Sequence, residues 1–204
     1  MTVTQQNRIL IIAFPLAIIA YLLPWAINTT TGLTLGGYDL AEWLSLHPAT
    51  HPSRIPTLLL RGQLLILTLI IVWTTKKPLF TNEWWLRCII VGLLVIAQLP
   101  PPEFLAWTGD QNQRQQALLA ILSLIGGIVG LTGILYRVRP YLLIVVIIIG
   151  LLAVIYVLTQ IQTRMQDFVL KATLGIGGIS LIVVYVVLLV IYTLECLKAN
   201  RGHE

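Results

Sequence analysis

Apolar residues in this chain come in long, nearly unbroken runs separated by short polar stretches. Six runs stand out, near residues 9–27, 56–73, 84–99, 117–136, 141–159 and 174–196, with breaks at clusters of charge and at proline-rich turns such as Pro100-Pro101-Pro102. A helix needs about 20 mainly apolar residues to cross a hydrocarbon layer about 30 Å thick, and within that layer every backbone N–H and C=O must find its partner inside the protein. The runs therefore predict an all-α fold: a polytopic transmembrane helical bundle of about six spans, forming a single integral membrane domain over 1–204. The third run, Trp84 to Gln98, is the shortest and crosses only with Trp84 and Trp85 at headgroup level; without it the count falls to five. The first, Ile9 to Trp25, is read as a retained span rather than a signal peptide, because it is long and no small-x-small cleavage site follows it.

Between the runs, two segments carry their own patterns. In Gly36-Gly37-Tyr38-Asp39-Leu40-Ala41-Glu42-Trp43-Leu44, Asp39 followed three residues later by Glu42 reads as a capping box, and Leu40, Trp43 and Leu44 share a face at i, i+3, i+4 spacing. Pro48 disfavours a helical His47. This predicts a short amphipathic helix, with Tyr38, Leu40, Trp43 and Leu44 either closing the outer ends of the bundle or contacting a partner subunit. The segment from Pro100 to Trp107 repeats the style, a rigid start followed by an apolar patch with Phe104 and Trp107, so the two together predict short amphipathic helices in the outer loops and an apolar outer cap.

Charge orients these elements. Positive residues beside the spans resist translocation, and placing the N-terminus inside puts Arg8, Lys76, Lys77, Arg87, Arg137, Arg139, Lys198 and Arg201 on the inner side. Arg54, Arg61, Arg114, Arg164 and Lys171 then lie outside, and eight against five favours both termini on the cytoplasmic face of a cell (inner) membrane. The acids leave +5 inside and zero outside, so the basic balance follows topology and no nucleic-acid partner is expected. Composition agrees with the bilayer as solvent: 57% of residues are hydrophobic and 10% charged, against about a quarter charged in soluble domains. All six tryptophans, at 25, 43, 73, 84, 85 and 107, fall at run ends or in adjoining loops, where an amphipathic ring is best accommodated.

Candidate chemistry is sparse. His47, His51 and His203 all lie outside the runs, which disfavours histidine ligation of a haem or chlorin within the membrane, and Pro48 and Pro52 interrupt the i, i+4 pair that a helical metal site would use. No metal site is expected. Cys88 and Cys196 sit near cytoplasmic run ends, where thiols stay reduced. Asn28-Thr29-Thr30 matches a glycosylation triplet that abuts the membrane. Ionisable residues deep in a bilayer cost about 2.5–3.5 kcal/mol and mark ion or proton pathways. Here Arg61 lies about a turn into its run and can snorkel, and Glu195 lies at the end of the last. Gln63, Thr68, Gln98, Ser123, Thr132 and Ser180 are scattered, as expected for helix-to-helix hydrogen bonds. Small-residue patches supply candidate packing faces: Gly126, Gly130 and Gly133 in the fourth run, Gly175 and Gly178 at the start of the sixth. A lipid, carotenoid or quinone could lie in an apolar groove, though no residue pattern requires one.

At Leu23-Pro24-Trp25 and at Tyr38-Asp39-Leu40-Ala41-Glu42-Trp43 the chain resembles uncharacterised multi-pass membrane proteins of filamentous anoxygenic phototrophic bacteria. The resemblance covers about a quarter of the chain and brings no functional residue with it. It implies a setting, an energy-converting bacterial membrane. The combined expectation is a non-catalytic accessory or structural subunit of a larger membrane protein complex, photosynthetic or respiratory, with the lipid bilayer and other integral subunits as partners. Two alternatives stand beside it. A small permease would line a path with Gln63, Thr132 and Ser180; a lipid-acting enzyme at the outer face would draw on Asp39, Glu42 and His47.

Overall fold

The computed structural model describes residues 3–28, 32–46, 55–74, 80–104, 111–134, 138–166 and 172–201. Seven α-helices dominate these residues: α1 (Val3–Leu22), α2 (Gly37–Leu46), α3 (Ile55–Trp73), α4 (Asn82–Ile96), α5 (Gln111–Thr132), α6 (Arg139–Gln166) and α7 (Ile176–Arg201). A single 3-10 turn covers Pro102–Phe104. Local chemistry sets several of the helix ends. Pro56 and Pro140 are the second residues of α3 and α6, where a missing N–H removes no helical bond. Thr81 caps α4 by accepting from the Trp84 N–H at 3.3 Å. Gly133, at φ +72°, ends α5 with its N–H on the Gly130 carbonyl, a left-handed position that suits glycine.

Four helices are long and apolar enough to cross a membrane: Ile55–Trp73, Gln111–Thr132, Arg139–Arg164 and Ile176–Leu197. They match the second, fourth, fifth and sixth runs. The first and third runs fall on shorter apolar helices. In α1 the apolar residues run from Ile9 to Leu22, and α4 has 15 residues, about 22 Å of rise. The first run stops short because Pro24 ends helical pairing and the residues after it turn into a strand.

That strand belongs to a small sheet that hydrophobic periodicity did not suggest. Strands β1 (Ala26–Asn28), β2 (Leu33–Leu35) and β3 (Thr173–Leu174) pair antiparallel in the order β2-β1-β3, with Ala26 opposite both Leu35 and Leu174. The sixth run consequently begins as β3 and turns helical only at Ile176.

Contacts group the chain into two compact units, one of Met1–Leu60 with Ile147–Glu204 and one of Arg61–Val146. In the first, α1 packs along α7. Buried Ala13, Ala17 and Ala20, at i, i+4, i+7, give α1 a smooth face of the kind that lets helices approach closely. In the second, α4 packs on α5. Arg61 meets Asn112, whereas the Gly130 position lies against Val72, so α3 and α5 run parallel. Arg87 reaches back to Ile71 and Thr74, so α4 runs antiparallel to α3.

Candidate functional site

Trp25 is the hinge point of the first unit. Its ring is fully buried, its Nε1 donates to the Ala20 carbonyl at 3.2 Å, and Tyr21 meets it edge-on at 6.3 Å. Its backbone N–H donates to the Leu35 carbonyl at 2.8 Å, and its carbonyl accepts from Gly175 at 2.9 Å. The Gly177 N–H, in the first turn of α7, donates to Pro24 at 2.8 Å, so the end of α1 supplies an acceptor that the start of α7 needs. Five glycines make this junction physically accessible. A Cβ on Gly36 would meet the Leu22 carbonyl at 2.8 Å, one on Gly37 the Tyr21 ring at 2.8 Å, and one on Gly175 the Pro24 carbonyl at 2.1 Å. Gly177 and Gly178 are confined in the same way, the latter by Leu158 and the Trp25 ring.

Helix α2 joins this junction. It begins at Gly37, not after Asp39: the Leu40 N–H already pairs with the Gly36 carbonyl, and Asp39 falls in the first turn. The expected capping role for Asp39 is thereby corrected. The glycine pair fits where side chains cannot, and the helix starts three residues early. An acid in the first turn still favours the helix electrostatically. Leu40 and Leu44 are buried, at 0% and 2% exposure, while Tyr38 and Trp43 are half-buried. The leucine stripe is therefore covered by this chain's own residues, and Tyr38 and Trp43 keep the remaining accessible surface. Of the second segment, Phe104 contributes its backbone to the 3-10 turn, whereas its side chain and all of Trp107 lie outside the described residues. His47, His51 and His203 also lie outside them. Asn28 is 4% exposed within β1, so its amide is closed to a modifying enzyme.

In the second unit, polar side chains tie helices to one another. Arg61 is 3% exposed and its guanidinium donates to Asn112 Oδ1 at 2.5 Å, an enclosed position rather than a snorkelling one. Ser123 donates to Gln98 Oε1 at 2.9 Å, and Gln98 donates back to the Leu94 carbonyl. Thr68 donates to the Leu64 carbonyl. Arg87 donates to the Ile71 carbonyl and, at 3.1 Å, to Thr74 Oγ1, placing a cation at the negative end of α3. Gly126 admits Leu69, Gly127 admits Val91, and Gly130 admits Val72 and Trp73, so this glycine face receives α3 and α4. Gly133 is a correction to the packing set: a Cβ there would meet nothing within 4 Å, and the residue terminates α5 instead.

These positions bear on the alternative sites as well. Gln63 is fully buried midway along α3, and Thr132 is exposed at the end of α5, with its hydroxyl on the Val129 carbonyl. Since the two helices are parallel and Gly130 lies level with Val72, about 16 Å of helix rise separates these residues, too far for one local polar cluster. Among the described residues no group of three His, Cys, Asp or Glu side chains comes together. Two features were missed by sequence reasoning. The Trp25 sheet pairs residues almost 150 positions apart, as in Ala26 with Leu174. The second is an aromatic cluster, Phe80 with Trp84 and Trp85, for which the dense aromatic content of that segment was the available signal. No protein-family model, curated protein or solved structure matches the chain.

Proposed function

We propose that the chain is a non-catalytic accessory subunit of a larger membrane complex, photosynthetic or respiratory, in which it holds neighbouring subunits, lipids or pigments in place. The observation that carries this reading is where the buried polar groups of the second unit point. Buried Arg61, Gln98, Ser123 and Thr68, with half-buried Arg87, are engaged in contacts within or between helices. Large apolar side chains of α4, α6 and α7, among them Ile89, Leu152 and Val183, face outward at 56–60% exposure. Such a body offers apolar faces to lipid or to a neighbouring membrane protein.

The reading includes six spans, with α1 and α4 crossing beside the four longer helices. Both termini are cytoplasmic, on the eight-to-five distribution of cations, and the membrane is the bacterial inner membrane. Extraction from native membranes in mild detergent, followed by size separation and identification of co-migrating chains, tests the subunit assignment. A defined complex of reproducible composition supports it, and a monodisperse lone chain overturns it. Reporter fusions after Trp73, Gln98, Thr132 and Arg201 test the span count: inside, outside, inside and inside are expected in that order.

A further inference from the structure

We draw no further inference here: the strongest candidate, the exposed apolar face of α4 with the Phe80, Trp84 and Trp85 rings at its head, carries none, because nothing in the described structure shows what covers it.

Discussion

Adding one methyl group at Gly175 should damage the fold more than its size suggests. The new Cβ would sit 2.1 Å from the Pro24 carbonyl oxygen, 2.5 Å from its carbon and 3.1 Å from the Trp25 nitrogen. All three are backbone atoms, so no side-chain rotation relieves the clash. Restoring an ordinary contact of 3.4 Å needs a separation of more than 1 Å between the two segments. That displacement stretches the Gly175-to-Trp25 and Gly177-to-Pro24 hydrogen bonds, now 2.9 and 2.8 Å, beyond useful range. Two backbone hydrogen bonds at about 0.5–1.5 kcal/mol each, with about 1–3 kcal/mol for overpacking, give a loss of about 2–6 kcal/mol. Gly92 provides the control. It lies inside α4 with nothing within 4 Å of its Cβ position, so Gly92→Ala should be neutral or stabilising by up to about 1 kcal/mol. Unfolding in mixed micelles with rising SDS, followed by circular dichroism and tryptophan fluorescence, measures both. A Gly175→Ala protein within about 0.5 kcal/mol of wild type would refute the close-approach argument. So would an equal loss in Gly92→Ala, which would show that glycine content matters and the contact does not.

Three further outcomes follow from single contacts. A double-mutant cycle on Ser123→Ala and Gln98→Leu should give a coupling of about 0.6 kcal/mol and no more than about 1.7, in the range of membrane hydrogen bonds; zero coupling would remove that contact from the packing of α4 on α5. Arg87→Met should lower stability by about 1–2 kcal/mol by uncapping the end of α3, and a simultaneous Thr74→Val should cost less than it does alone. Asn28 should accept no glycan in microsomal translation, since its side chain is buried in β1; a mass shift abolished by Asn28→Gln would contradict that placement.

Particular elements show how far the chain could be read without its structure. Runs of Leu, Ile and Val over 56–73, 117–136, 141–159 and 174–196 announce helices because nothing else satisfies a backbone in hydrocarbon, and all four correspond to helices long enough to cross. The amphipathic stripe of Leu40, Trp43 and Leu44 likewise announced α2, though its cap was misplaced. The capping-box pattern pointed to Asp39, while the preceding glycines allowed an earlier start. Gly133 was grouped with the packing glycines by spacing, a signal that cannot distinguish a helix face from a helix end.

Apolar runs and the positions of the tryptophans near their ends depend on each residue's own affinity for lipid or water, which is why the amino-acid order alone determines them. Which backbone atoms Gly175, Gly177 and Gly36 must admit, and that Pro24 and Trp25 are the atoms they meet, depends on segments far apart in the chain, and only the tertiary structure decides it. The same holds for Leu40 and Leu44. Their spacing made a sticky face, and the question of whether that face met a partner or this chain was settled by the packing that buries both. Hydropathy is a property of single residues and adds along the chain, whereas close approach is a property of pairs and appears only once the pairs have met.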